Sequence, residues 1–148
     1  MQEKDNKIAI GADHAGYLMK EHIKKELEGR GYEVTDYGTH SENSVDYPDF
    51  AHPVAESIDK GEIRLAVVMC GSGNGVNMTV NKYRSVRSAL CWNKEIARLA
   101  RLHNDSNVLA LPARFISFEE GSDILEAFLN TTFEGGRHSR RVEKICKK

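Results

Sequence analysis

Five consecutive apolar residues, at positions 65–69, lead directly into a turn that contains three glycines. Because this run does not alternate with polar residues, it predicts a strand buried on both faces, and such strands are typical of parallel sheets covered by helices. The turn reads Cys-Gly-Ser-Gly-Asn-Gly at positions 70–75, and the segment 76–82 is predicted to be a helix. A chain with this feature is expected to fold as an α/β protein.

The glycine turn is a candidate anion-binding site, because backbone N–H groups converge between the end of a strand and the start of a helix. Its cysteine and serine add a thiol and a hydroxyl. The turn lacks the terminal Gly-Lys-Ser/Thr of a P-loop, and its glycines do not have the spacing of the dinucleotide-binding fingerprint. A tight turn without a ligand therefore remains an alternative interpretation of this stretch.

Four further segments are predicted strands, and helical patterns separate them. The five strands are expected at positions 7–11, 32–37, 65–69, 87–91 and 108–111. The alternation of strands and helices predicts a three-layer, Rossmann-like fold with a parallel sheet, and we expect the flavodoxin-like strand order 2-1-3-4-5. A C-terminal helix is expected at 137–145, and the 148 residues are expected to form a single domain.

Polar side chains follow the first, third and fifth predicted strands. Asp13 and His14 come directly after the first strand, Cys70 directly after the third, and Arg114 shortly after the fifth. In open α/β sheets, ligands bind outside the carboxyl ends of the strands, at the point where the strand order reverses. These residues are therefore expected to meet in one crevice, although Asp13 is equally suited to cap a helix and His14 to pack locally.

Three further groups are expected at the same edge of the sheet. Tyr47 lies at the end of a long polar loop. His103 ends the apolar face of a predicted helix, and Asn104 begins the polar cluster that follows it. A histidine in that position more often packs in a core than binds a ligand. Arg137 and Arg141 are four residues apart, so they share one face of the last helix and are suited either to hold a phosphate or to form a solvated surface.

Composition and the N-terminus limit the classes of partner. The net charge is −1, so no bulk field favours nucleic acid or an anionic membrane. Three cysteines without a paired spacing are typical of reduced thiols, and the polar N-terminus lacks the apolar region of a secretion signal, so the cytoplasm is the expected location. The sequence has no HxxxH, CxxC or carboxylate cluster with metal-ligand spacing, so neither a metal nor another cofactor is expected.

Six segments in chain order resemble the type B ribose-5-phosphate isomerases, a family that also includes allose-6-phosphate and galactose-6-phosphate isomerases. The segments are DHAGYLMK, SVDYPDFA, CGSGNG, NK at 81–82, RLHNDSNVLALPARFI and EGGRHSRRVEKI, and the resemblance extends over about residues 8–145. It implies interconversion of ribose 5-phosphate and ribulose 5-phosphate through a cis-enediolate, without a metal, in the non-oxidative branch of the pentose phosphate pathway. It also implies a homodimer or homotetramer whose sites are shared between chains.

The resemblance assigns roles to the matching residues. Cys70 is implied as the base that moves a proton between C2 and C1, Ser72 assists proton transfer between the two oxygens, and His103 helps to open the sugar ring. The implied substrate ligands are the turn residues Gly71, Gly73, Asn74 and Gly75, the sugar ligands Asp13 and Asn104, and the phosphate ligands His14, Arg114, Arg137 and Arg141.

One position separates two branches of this family. Some members carry a glutamate base directly after the last glycine of the turn, with a glycine in place of the cysteine. This chain has Val76 at that position and retains Cys70, so it is expected to use the cysteine. Two alternatives remain open: an isomerase of hexose 6-phosphates with the same chemistry, and a non-catalytic module that binds a phosphate or a nucleotide. Ribose 5-phosphate is the preferred substrate.

Overall fold

The computed structural model of the protein describes residues 6–146, so most of the N-terminal stretch in which no secretion signal is expected lies outside the described residues. The described residues contain the strands β1 (Lys7–Ala12), β2 (Glu33–Asp36), β3 (Leu65–Cys70), β4 (Ser88–Leu90) and β5 (Val108–Pro112). The helices are α1 (Tyr17–Gly29), α2 (Tyr47–Asp59), α3 (Asn74–Val80), α4 (Lys94–Asn104), α5 (Phe118–Asn130) and α6 (Arg137–Glu143). A 3₁₀ turn at His14–Gly16 precedes α1.

The strands form one parallel sheet in the order β2-β1-β3-β5-β4. The expected fold class is confirmed, but the expected order 2-1-3-4-5 is wrong, because β5 and not β4 lies beside β3. The burial of the two strands gives the physical reason. All five residues of β5 are buried, as suits an interior strand, whereas the three residues of β4 are all partly exposed, as suits an edge.

Two apolar clusters cover the two faces of the sheet. Side chains alternate along β3, so that Val67 and Met69 join the cluster under α1, α4 and α5, while Ala66 and Val68 join the cluster under α2 and α3. Because helices cover both faces, the loops at the strand ends are the places where a site can form. No helix among residues 6–146 combines the length and the apolar content that a membrane span requires.

Candidate active site

The carboxyl ends of β1 and β3 bring the first two predicted motifs together. The two strands are in parallel register, so Asp13 and Cys70 lie at the same edge of the sheet. A side-chain carbon placed on Gly71 would lie 3.6 Å from Ala15 Cβ, so the loop after β1 closely approaches the turn after β3. The two motifs thus form one crevice at the point where the strand order reverses.

The glycine turn begins at Cys70, the last residue of β3, which is only 5% exposed. Gly73 has a φ of +78°, a backbone conformation that other residues rarely adopt, and it immediately precedes α3. The exposed Ser72 hydroxyl accepts a hydrogen bond from the Asn74 N–H (3.2 Å), which stabilises the turn. Because Gly73 allows the chain to reverse here, α3 begins at Asn74 rather than at the predicted position 76.

Tyr47 and Arg114 lie on two sides of this turn. A carbon placed on Gly75 would lie 2.6 Å from Cζ of the Tyr47 ring, so only glycine fits at that position without displacing the ring. A carbon placed on Gly71 would lie 3.2 Å from Arg114 Cδ and 3.3 Å from its Nη1. The phenol and the guanidinium are both solvent-exposed, so they provide a hydrogen-bonding group and a positive charge at the mouth of the crevice.

Asp13 and His14 have defined hydrogen bonds in the loop after β1. Asp13 is buried, and its Oδ1 accepts a hydrogen bond from the Gly16 N–H (3.1 Å), so the capping interpretation of this residue is confirmed. His14 is half-buried, and its Nδ1 accepts a hydrogen bond from the Val45 N–H (3.1 Å). A neutral His14 ring therefore carries its proton on Nε2, where it is a donor for an anion.

A buried ion pair that sequence analysis missed supports this loop. Lys20 on α1 is fully buried and donates to Asp36 Oδ2 (2.6 Å) at the end of β2. Asp36 also accepts a hydrogen bond from the Gly38 N–H (2.9 Å), and the Gly38 carbonyl accepts one from Ala12 (2.7 Å), the residue before Asp13. Burial raises the pKa of the Asp36 carboxyl, but the hydrogen bonds from Lys20 and Gly38 outweigh it and hold that pKa below its ordinary value.

His103 and Asn104 do not reach the crevice within one chain. They end α4, which leads into the amino end of β5, whereas Cys70 lies opposite Pro112 at the carboxyl end of that strand. A strand of this length separates its two ends by about 13 Å. The expectation that these residues meet Cys70 at one edge is therefore wrong for a single chain, because α4 returns the chain to the amino edge of the parallel sheet.

Arg137 and Arg141 lie with His103 at the amino edge. Both arginines are exposed on α6, which packs against α4. The ring of His138, between the two arginines, stacks on the ring of His103, with 4.3 Å between the centroids and 16° between the planes. The amino edge thus holds four of the predicted site residues, namely His103, Asn104, Arg137 and Arg141.

His138 is a member of this second cluster that sequence analysis missed. It is 6% exposed, its Nε2 has no hydrogen-bond partner, and Glu134 Oε2 lies 3.7 Å from that atom. Burial lowers the pKa of His138, and the neighbouring His103 and Arg137 lower it further. The sequence places His138 between two candidate arginines, but its contact with α4 exists only in the folded chain.

The chain is similar to known isomerases over nearly its whole length. The sequence profile described as Ribose/Galactose Isomerase matches residues 8–145. The chain is 42% identical over 139 residues to ribose-5-phosphate isomerase B of Escherichia coli (strain K12), which covers 94% of this chain and 93% of that protein. A solved ribose 5-phosphate isomerase from Thermotoga maritima is 50% identical with a TM-score of 0.92, over 94% of this chain and 96% of that one. Ribose-5-phosphate isomerase B from Mycoplasma genitalium, solved with bound ribulose-5-phosphate, is 40% identical with a TM-score of 0.90, over 94% and 93% of the two chains.

Proposed function

We propose that this chain, which belongs to the ribose/galactose isomerase family, interconverts ribose 5-phosphate and ribulose 5-phosphate. The observation that carries the proposal is the position of Cys70, buried at the end of β3 and at the start of a glycine turn. A relative of 40% identity was solved with ribulose-5-phosphate bound, which supports a pentose phosphate as the substrate.

The chemistry requires a base at C2, a proton returned to C1, and stabilisation of the negative charge that develops on oxygen. Cys70, as the thiolate, is the proposed base, and Ser72 transfers a proton between the two oxygens. The N–H groups of residues 71–75 are the proposed hydrogen-bond donors to the enediolate. Val76 has no ionisable group and is fully buried in α3, which supports the cysteine rather than the residue after the turn as the base.

We infer that the complete site forms between two copies of the chain. Asp13, His14 and Arg114 lie near Cys70, whereas His103 and its neighbours lie at the opposite edge of the same sheet. In a two-fold dimer every contact is made twice, so the amino edge of each copy can complete the crevice of the other. The proposed contributions of the second copy are ring opening by His103, a sugar contact from Asn104, and phosphate binding by Arg137 and Arg141.

Mixing two inactive variants tests the shared site. Cys70→Ala and His103→Ala each remove one essential group from both sites of a homodimer. In a mixed dimer, one site lacks both groups and the other keeps both, so an equimolar mixture refolded together should recover about a quarter of the wild-type activity. Each variant refolded alone is the control and should remain inactive. Inactivity of dimers shown to be mixed by native mass spectrometry would contradict the shared site.

A hexose 6-phosphate is the second candidate substrate, because the matching profile describes ribose and galactose isomerases together. Coupled assays in EDTA with ribose 5-phosphate, allose 6-phosphate and galactose 6-phosphate separate the two sugar classes. We expect turnover of ribose 5-phosphate, reduced at least about 10²-fold by Cys70→Ala. Turnover of a hexose phosphate alone would keep the mechanism and change the substrate. Inactivity of the folded protein on all three sugars would favour the non-catalytic phosphate- or nucleotide-binding module.

The proposed location is the cytoplasm. Cys70, Cys91 and Cys146 are all unpaired thiols, as is typical of a reducing compartment. The proposed mechanism needs Cys70 in its reduced form, because a cysteine oxidised to a disulfide has no thiolate with which to accept a proton.

A further inference from the structure

We propose that His103, Glu134 and His138 bind a divalent transition-metal ion such as Zn²⁺, and that the bound ion inhibits the isomerase. Their ligand atoms all lie within 4.8 Å of one another. Two imidazoles and a carboxylate are a ligand set that Zn²⁺ accepts, with a fourth position left for water. The sequence gives no metal-ligand spacing here, because His103 comes from α4 and the other two residues come from α6 and the segment before it.

The buried nitrogen of His138 is an independent observation that points to a ligand. His138 is only 6% exposed, yet its Nε2 has no hydrogen-bond partner, and the carboxylate of Glu134 lies nearby. Buried polar atoms almost always have a partner, so an unpaired one calls for an explanation. An imidazole nitrogen that has no hydrogen-bond partner can offer its lone pair to a metal ion.

The geometry requires a small rearrangement. Ligand atoms around a tetrahedral Zn²⁺ are about 3.3 Å apart, given bonds near 2.0 Å. Glu134 Oε2 and His138 Nε2 are already 3.7 Å apart, and the Glu134 side chain is 52% exposed and able to adjust. His103 stacks on His138, so its ring must turn, because a metal lies in the plane of each imidazole that binds it. Half-burial of His103 leaves room for that rotation.

Two properties of the proposed metal site follow from its neighbours, namely how readily EDTA removes the ion and how the bound ion affects the isomerase. The positive charges of Arg137 and Arg141 act on His138, so they oppose a bound cation and should let EDTA remove it readily. The inhibition rests on the proposed function, since a metal held by His103 would engage the side chain that is proposed to open the sugar ring. Binding of Zn²⁺ is independent of that function.

Competition against a chromophoric zinc chelator measures the binding directly, on the full chain freed of metal. We expect wild type to bind Zn²⁺, and Glu134→Gln and His138→Gln to weaken that binding at least about tenfold. Glu134 is exposed, so Glu134→Gln tests the site even where His138→Gln fails to fold. His52→Gln, which changes an exposed histidine on α2, is the matched control and should bind as wild type does. The site would be overturned if wild type did not bind Zn²⁺ or if Glu134→Gln bound it as tightly as wild type does. It would also be overturned if Cys70→Ala were the one variant that lost Zn²⁺ binding.

Activity assays keep the metal site and the proposed function distinguishable. We expect Zn²⁺ to inhibit wild-type turnover of ribose 5-phosphate and EDTA to restore it. The inhibition of each variant is measured relative to its own rate in EDTA. Half-inhibition of Glu134→Gln should require at least about tenfold more Zn²⁺ than half-inhibition of wild type, while His52→Gln should not differ from wild type. Zinc binding by a protein that isomerises no sugar would refute the proposed function alone. Full activity of a protein with Zn²⁺ bound at these residues would refute the inhibition.

Discussion

Removal of the Asp36 charge alone should cost far more stability than removal of both charges of the buried Lys20–Asp36 pair. The Asp36 carboxylate also accepts a hydrogen bond from Lys24 Nζ (3.2 Å), so removal of Lys20 alone does not leave Asp36 without a partner. Lys20 is fully buried, the Asp36 side chain is 7% exposed, and 2.6 Å separates the two charged atoms. Breaking a buried pair costs about 3–5 kcal/mol because the remaining charge stays buried, whereas replacing both partners is often neutral. We expect Asp36→Asn to cost about 3 kcal/mol, the lower end of that range, because Glu21 still contacts the Lys20 ammonium at 2.9 Å.

A loss of that size is readily measured by thermal and urea unfolding. For a chain of this length it lowers Tm by roughly 6–12 °C. The double variant Lys20→Met with Asp36→Asn should be more stable than Asp36→Asn alone, because no charge is left buried without its partner. The matched control is the surface pair of Glu95 and Arg98, whose atoms are 2.7 Å apart but exposed, so Glu95→Gln should leave Tm unchanged.

The pH dependence of this effect has a defined sign. The folded state holds the pKa of Asp36 below its ordinary value, so the pair stabilises the fold at any pH above the unfolded value of about 3.9. That contribution is lost as the pH falls through the folded pKa. The stability difference between wild type and Asp36→Asn should therefore be constant between about pH 5 and 8 and shrink below about pH 4. Additive effects of Lys20→Met and Asp36→Asn, or a Tm loss no larger than that of Glu95→Gln, would refute the reasoning.

Three further predictions concern the candidate site. Gly75→Ala should lower ribose 5-phosphate turnover about tenfold or more because the new methyl meets the Tyr47 ring 2.6 Å away, and the loss should be much smaller in a Tyr47→Ala background. Iodoacetamide should alkylate Cys70 and ribulose 5-phosphate should protect it, whereas Cys91, whose pKa is raised to about 12 by burial, should stay unmodified in peptide mass spectra of the folded protein. Arg137→Ala should raise KM with little change in kcat, because phosphate is bound equally in the ground and transition states; a fall in kcat at unchanged KM would contradict this role.

The helices and strands could be predicted from the sequence, but the order of the strands within the sheet could not. Each strand and helix follows from a local hydrophobic period, and the predicted strand positions agree with β1 to β5 within two residues. The order of β4 and β5 depends on which strand is covered on both faces, a property of the assembled sheet. The continuous apolar run of β5 is typical of an interior strand, a signal that the flavodoxin-like order 2-1-3-4-5 does not take into account.

The residues of the candidate active site could likewise be predicted only where their placement follows from local sequence patterns. Asp13 and Cys70 could be placed together from the sequence because the rule about strand ends needs only the order of β1 and β3. The separation of His103 from Cys70 could not be read from motifs alone, since motifs show which residues match and not which edge each reaches. The roles of Lys20 and His138 could not be predicted from the sequence, because a lysine in a helix and a histidine in a basic segment acquire such roles only through tertiary contacts.

The strand order has a direct consequence for the phosphate-binding proposal. Because β5 lies beside β3, the chain after β5 bonds to the glycine turn, with Ala113 N–H donating to the Cys70 carbonyl and Arg114 N–H to the Gly71 carbonyl, both at 2.9 Å. In the order 2-1-3-4-5, β4 would have stood in that place, and Arg114 would have been one strand further away, about 4.8 Å. Its guanidinium, now 3.3 Å from the position of a Gly71 side-chain carbon, would then have lain beyond the turn. The observed order thus brings a positive charge from the same chain next to the glycine turn.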